Sequence, residues 1–416
     1  MRRATLLALV VIVAALGGTA VVAFQSGGND VQLQEQWTSD TAREARSNHH
    51  APAAGIVNGT GMVYAPVSGR SDAPNCALYG LYSENGSATW QYQVAKPNCT
   101  IHSVANPTIA DYDSDGTPEV LTTSTEQAVL GFSAATGAEE LRTNLTGYGY
   151  TRPVVTDLLG DDRMETVTVD VRGTVFVHRP NGSVVWSTRL DSYTWGRPGV
   201  ADFDADGRKE VVVGISDGSL TMFERNGSVA WQKQDLLGGS ILWVTTGQAD
   251  QEPGEEIVVA TNRGTVALVD GADGEVQWKN SFGAFAAVHA FGDGDTDGDP
   301  EIYAVARDAK LRSSDAASGK VEWTTTLTST DVRMTPPPTH RDVDGDGEQE
   351  LVTVTNDGKI SVVDPRTGDV LDTYARDVTI YTHPEVADTD GDGMAEVYVM
   401  YSDGRVVALE ASSGAS

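Results

Sequence analysis

From residue 31 onward, apolar and polar residues alternate in short runs, and no stretch carries the three-to-four residue period of an amphipathic helix. The segment beginning at Arg197 is representative. An apolar run over 198–201 leads into an acid-rich loop, 202–210. Further runs follow at 211–215, 220–223 and 229–232, separated by a Ser216-Asp217-Gly218 turn and an Asn226-Gly227 turn. Asp-Gly and Asn-Gly between alternating strands are strong short-range hairpin signals, because both favour the left-handed backbone of a tight turn. The pattern predicts four antiparallel strands in about 45 residues, the size of one β-propeller blade.

The unit repeats. Glu119, Glu165, Glu210, Glu256, Glu301, Glu350 and Glu396 each close an acid-rich loop before a β-branched run, at spacings of 46, 45, 46, 45, 49 and 46 residues. A second marker follows 21 or 22 residues later: Trp186, Trp231, Trp278 and Trp323, with Leu141 and Asp372 in the same place in two weaker copies. Trp90, after Gly86, marks a further copy upstream that has no acidic loop. The last copy ends after its third strand, and its missing fourth strand is expected at the other end of the chain. There, Val31 to Trp37 resembles the Glu275 to Trp278 strand, and Trp37 lies 53 residues before Trp90. The expectation is an all-β, eight-bladed β-propeller over 31–416, its last blade closed by the N-terminal strand. A seven-bladed ring, which leaves 61–80 unassigned, is the runner-up.

Five loops carry three aspartates at alternate positions, a glycine and a closing glutamate. They are Asp111, Asp113, Asp115 and Glu119; Asp202, Asp204, Asp206 and Glu210; Asp293, Asp295, Asp297 and Glu301; Asp342, Asp344, Asp346 and Glu350; and Asp388, Asp390, Asp392 and Glu396. The glycine at the sixth position permits the sharp turn that brings the carboxylates together. Turn chemistry alone would explain Asp-Gly. It does not explain four carboxylates in nine residues, which repel unless a cation or raised pKa values compensate. The closing acid stands at position 9 and is followed by a strand, which excludes a helix-loop-helix site. Two copies have decayed: Leu159 replaces an acid in one, and Gln248 and Pro253 break the other.

The Asp-x-Asp-x-Asp-Gly-x-x-Glu loop between strands resembles the FG-GAP/VCBS repeat of integrin-α-type propellers. The second half of each repeat, such as Asp364 to Gly368 or Ala317 to Trp323, is similar to the quinoprotein-like (PQQ-like) propeller repeat. The resemblance implies that the side chains at positions 1, 3, 5 and 9, with the carbonyl at 7, bind Ca2+ at about five sites.

Charge narrows the function classes. The 416 residues carry 59 acids against 29 lysines and arginines, a net charge of −30, and only 7 of the basic residues are lysine. The acids are spread along the chain, a surface that repels nucleic acid and anionic lipid and suits a halophilic setting where salt screens self-repulsion. Arg2 and Arg3 before an apolar run over 4–24 form an export signal, read as a retained membrane anchor or as a signal peptide cleaved near Ala23. A short linker, 25–30, follows, and the propeller is expected outside the cytoplasm. Cys76 and Cys99 bracket one predicted strand pair and are expected to form a disulfide there. Of the six glycosylation sequons, Asn58 and Asn144 stand out, because Asn85, Asn181 and Asn226 already have a hairpin reason to be Asn-Gly.

The segments running from one blade's outer strand to the next blade's inner strand gather the remaining chemistry. Tyr150, Trp195 and Tyr381 share one position in the repeat; Arg152, Arg197, Trp243 and His383 share another. Six of the seven histidines fall in these segments. Bulky side chains are needed between blades in any propeller, but aromatics with Arg and His at a channel mouth also suit a sugar or anionic ligand. Two function classes follow. The first is a non-enzymatic calcium-binding surface module for adhesion, envelope scaffolding, or recognition of a glycan or protein. The second is an enzyme, either a quinoprotein-like dehydrogenase or a lyase or hydrolase acting at the channel mouth. The absence of adjacent cysteines and of additional capping length weighs against the dehydrogenase. No triad or carboxylate pair marks the mouth as catalytic.

Overall fold

The computed structural model describes residues 31–43, 48–69, 75–250 and 252–413. These form thirty-two strands in eight four-stranded antiparallel sheets, and seven of the sheets are consecutive in sequence. The 61–80 stretch supplies Thr60–Val67 and Ala77–Tyr82, the second and third strands of the first blade, so the ring has eight blades. The proposed anchor or signal segment at 1–24 and the linker at 25–30 lie outside the described residues. Among the described residues no helix is long and apolar enough to cross a membrane.

The eighth sheet is composite. Val31–Thr38 pairs antiparallel with Val406–Ser413, Gln34 facing Glu410 and Trp37 facing Ala408. The strand fits because Val31 and Trp37 turn inward and are buried, while the residues between them are mostly exposed. This is the closure anticipated from the sequence.

The periodic tryptophans hold neighbouring blades together. Trp37, Trp90, Trp186, Trp231, Trp278 and Trp323 each lay the ring on a turn glycine of the next blade: Gly86, Gly137, Gly227, Gly274, Gly319 and Gly368. A Cβ on those glycines would lie 2.4–2.9 Å from the ring, so no larger residue fits. Most of the indoles also donate Nε1–H to a carbonyl of that blade, as Trp186 does to Arg225 at 3.0 Å and Trp231 to Gly271 at 3.0 Å. The substituted copies keep the contact in other forms. Leu141 touches Gly182, and Asp372 accepts a 2.7 Å bond from the Leu33 amide on the closing strand.

Burial follows strand order. Second strands such as Glu119–Ser124 and Glu210–Gly214 are buried throughout, whereas outer strands alternate between exposed and half-buried. Inner strands such as Thr108–Ala110 and Val154–Thr156 are short and half-buried along their whole length, as expected for the lining of an open channel. Strand alternation places the acidic loops and the turns before the outer strands on one face. The outer-to-inner crossings lie on the opposite face.

Candidate functional site

The five complete loops share one geometry. The first aspartate accepts a bond from the amide of the loop glycine at 3.0–3.1 Å in every case: Gly116, Gly207, Gly298, Gly347 and Gly393. All five glycines have φ between 83° and 100°. The amide at position 5 donates to the third-position carboxylate, and the amide at position 7 to the fifth. The carboxylates are thereby aimed inward. Asp111, Asp113 and Asp115; Asp202, Asp204 and Asp206; and Asp293, Asp295 and Asp297 each bring ligand oxygens within 4.8 Å of one another. Asp388, Asp390, Asp392 and Glu396 do so as a foursome, and Asp342 and Asp344 with Glu350. Asp202 keeps one buried oxygen, Oδ1, without a hydrogen-bond partner. An all-oxygen donor set with an orphaned oxygen fits a hard divalent cation.

The closing glutamate does more than the sequence suggests. In all seven loops, decayed ones included, its Oε2 accepts the backbone N–H of loop position 2, from Tyr112, Leu158, Phe203, Ala249, Gly294, Val343 and Thr389. It ties the loop to the second strand whatever else the loop does. Glu119, Glu210 and Glu301 do not join the aspartate clusters of their loops. Burial, followed by the neighbouring aspartates, pushes Glu210 up to about 7, and likewise Glu350 to about 8.

The decayed loop of the third blade has a cation of its own. Arg179 Nη1 lies 2.8 Å from Asp161 and 3.0 Å from the buried Glu165. Arg179 faces Glu165 across the sheet. In the other blades that station holds Ser133, Glu224, Asp270, Asp315, Asp364 and Glu410. A positive side chain therefore appears only where Leu159 has removed a carboxylate. Arg179→Ala is expected to lower stability, because it leaves the buried Glu165 carboxylate without its cation. Urea unfolding should show the same loss with and without calcium.

Cys76 and Cys99 form the disulfide, with Cα atoms 5.4 Å apart; it joins the start of the first blade's third strand to the crossing into the second blade. Asn144 is exposed at the end of its outer strand. Asn58 departs from expectation. With φ of 50°, followed by Gly59 at 77°, it occupies a tight turn between paired strands, so it has the same hairpin reason to be Asn-Gly as the sequons set aside.

On the opposite face the crossing segments bring rings into a continuous arc. Tyr381 stacks on His49 at 4.4 Å, His49 meets His102 at 5.1 Å, and His102 meets Tyr150 at 4.8 Å. Tyr150 meets Trp195 edge-on at 4.6 Å, and Tyr193, largely exposed, ends the arc at 5.7 Å. His50 packs under it against Tyr150 at 4.9 Å. Trp243 is not part of the arc. It packs against the two hydrophobic cores that flank the sixth blade, because its strand, Ile241–Gly247, is longer and turns it between sheets.

His383 is buried rather than presented at the mouth. It stacks on His289 at 4.8 Å, bonds through Nδ1 to the Pro384 carbonyl at 3.1 Å, and meets the Asn106 amide through Nε2 at 3.2 Å. Asn106 in turn pairs with His50 Nδ1 at 2.9 Å. Burial lowers His383 and His50 to about 4 and His102 to about 3, so these rings are neutral. Charge at the mouth is left to the arginines. Arg197 is exposed to solvent. The His50–Asn106–His383 relay had a signal in the sequence: Asn106 stands directly before Pro107, as Arg152, Arg197 and His383 stand before Pro153, Pro198 and Pro384.

Blades docked through periodic tryptophans, around a channel, define a PQQ-like β-propeller. The family model described as outer membrane protein assembly factor BamB matches residues 160–293 and 262–416, and the chain belongs to that family. No curated protein matches it in sequence. Among solved structures, BamB from Moraxella catarrhalis is 12% identical with a TM-score of 0.62, covering 91% of this chain and 100% of that one. The V. cholerae biofilm matrix protein Bap1 is 14% identical, TM-score 0.70, covering 93% and 92%. A quinohemoprotein alcohol dehydrogenase from Pseudomonas putida is 12% identical, TM-score 0.66, covering 93% of this chain and 77% of that one. At these identities the likeness is one of fold.

Proposed function

We propose that this protein is a non-enzymatic recognition or scaffolding propeller working outside the cytoplasm, with calcium held in five FG-GAP-like loops on one face and a protein or glycan partner engaged on the other. The observation that carries this reading is the arc from Tyr381 to Tyr193, a continuous band of rings on connecting segments over a rigid scaffold. Aromatic surfaces with a polar edge suit a sugar ring or a partner's side chains. Family membership with an outer-membrane assembly factor and fold likeness to a biofilm matrix protein support envelope work. The Cys76–Cys99 bridge supports an oxidising compartment. In this reading calcium is structural. Asp202, Asp204 and Asp206, and their counterparts in the other four loops, would hold it and neutralise the cluster.

The test is capture from envelope extracts with the immobilised propeller. Tyr193→Ala combined with Trp195→Ala should reduce recovery of the captured partner at least tenfold while leaving the melting curve within a few degrees of the parent. Asp204→Asn, on the far face, should retain capture at saturating calcium. If capture is lost with Asp204→Asn and kept in the aromatic double variant, the mouth is not the docking face.

A further inference from the structure

We infer that His50 and His102 form a nitrogen-donor site for a borderline-soft divalent ion such as Zn2+ or Cu2+, set at the aromatic arc and separate from the acidic loops of the other face. The site is independent of what docks at the mouth. Among the described residues four buried imidazole nitrogens have no hydrogen-bond partner. Two belong to His178, which stacks on Phe176 at 5.5 Å rather than on another histidine. The other two are His50 Nε2 and His102 Nδ1, and their rings meet edge to face, centroids 5.5 Å apart and planes at 82°. Two imidazoles bound at about 2.0–2.1 Å to one tetrahedral ion hold their centroids about 5 Å apart. The observed spacing is that of two ligands of one ion.

The tautomer of His50 is set from a distance. The Pro384 carbonyl can only accept, so the neutral His383 carries its proton on Nδ1 and its Nε2 accepts from the Asn106 amide. Asn106 then presents its oxygen to His50, whose Nδ1 is the donor at 2.9 Å. That leaves the lone pair of His50 on Nε2, the atom without a partner. A ring held by a hydrogen bond from its far nitrogen, with a bare lone pair beside a second histidine, has the outer support of a metal-ligating histidine.

Both rings stand on fixed backbone. His50 is 2% exposed and follows Asn48, whose side-chain oxygen accepts the Ser68 amide at 2.6 Å and whose amide donates to the Ser402 carbonyl at 3.3 Å. His102 lies just beyond Cys99 of the disulfide and beside Ser103, whose hydroxyl accepts the Thr100 amide at 2.6 Å. Among the described residues no third histidine, cysteine or acid completes a cluster with the pair. His49, 5.1 Å from His102, is stacked on Tyr381 instead. Two nitrogens give moderate affinity and leave the remaining coordination positions to water. Imidazole suits Zn2+ and Cu2+ whereas carboxylate loops suit calcium, so the two faces take different ions.

The probe is Cu2+, added to the calcium-saturated full chain and followed by calorimetry and by electron paramagnetic resonance, in which nitrogen donors split the copper signal. Saturable micromolar binding of one ion with a two-nitrogen pattern is expected, and Zn2+ should compete for it. His50→Gln and His102→Ala should each weaken binding tenfold or more and abolish the pattern. Asn106→Ala, which releases the His50 tautomer, should weaken it about tenfold. Because His50 is buried and its variant can fail to fold, the half-buried His102 decides the matter, its variant being required to keep the parent's melting curve. No saturable binding to the parent, the result if a water bridges the two rings, overturns the site. So does copper bound without a nitrogen pattern, or bound equally well by the His102→Ala protein.

Discussion

Removing calcium at low salt is expected to lower the melting temperature by roughly 10 °C or more. Each site saturated at a hundred times its Kd would contribute about 2.7 kcal/mol, and five such sites reach a sizeable share of any domain's stability. The geometry gives the sign. At least three carboxylates per loop converge within 4.8 Å, and two unit charges at about 4 Å repel by about 1 kcal/mol in water and about 4 at an effective dielectric of 20. Without a cation, burial pushes the Glu119, Glu210 and Glu301 carboxyls up to about 7, which relieves part of the charge by protonation, so the calcium-dependent shift should be larger above pH 7 than below it. Salt should blunt the effect, because the Debye length falls to about 3 Å at 1 M. Scanning calorimetry with and without chelator, at low salt and at 1 M, is the check. A curve unmoved by chelator in both conditions overturns calcium as the structural ion. Asp202→Asn, which alters the loop with the orphaned Oδ1, should remove part of the calcium-dependent shift and leave the rest.

How much could be read in advance depended on how local the determining contacts are. Glu210 and Gly207 act within nine residues of Asp202, so spacing alone placed the loop and its turn. Trp186 marked the repeat equally well, but the reason for it, a ring laid on Gly227 of the next blade, is an interblade contact that no single repeat displays. The mouth was half legible for the same reason. The shared position of Tyr150 and Trp195 did bring their rings together. The position shared by Trp243 and His383 did not give a common environment: one turned between sheets and the other was locked by Asn106. Arg179 carries a usable signal. It is the one basic residue at the third-strand station facing a loop glutamate, and it accompanies the loop in which Leu159 displaces an acid. Asn58 stands before Gly59, the same Asn-Gly turn signal as at Asn85, Asn181 and Asn226, and the structure places it in the turn between Val57 and Thr60.

Deleting residues 31–38 is expected to abolish cooperative folding of the ring. The strand is the outer member of the eighth sheet, and its removal leaves Val406–Ser413 with a row of unpaired amides and carbonyls, an edge that invites aggregation. Both interfaces of the eighth blade also lose their ties. Asp372 of the seventh blade loses the Leu33 amide, and the first blade loses Trp37, whose ring covers Gly86 and whose indole donates to the Ser83 carbonyl at 2.5 Å. Because the deletion is severe, two graded measurements accompany it. Trp37→Ala keeps the backbone pairing and should cost about 3–5 kcal/mol, the range for a large buried aromatic, without changing the oligomeric state. A synthetic peptide of residues 31–38, added to the truncated chain, should raise its melting temperature in proportion to occupancy and suppress aggregation. Size-exclusion chromatography and calorimetry decide the matter. A truncated chain that stayed monomeric with an unchanged melting temperature, together with a silent Trp37→Ala, would show that the ring closes without its N-terminal strand.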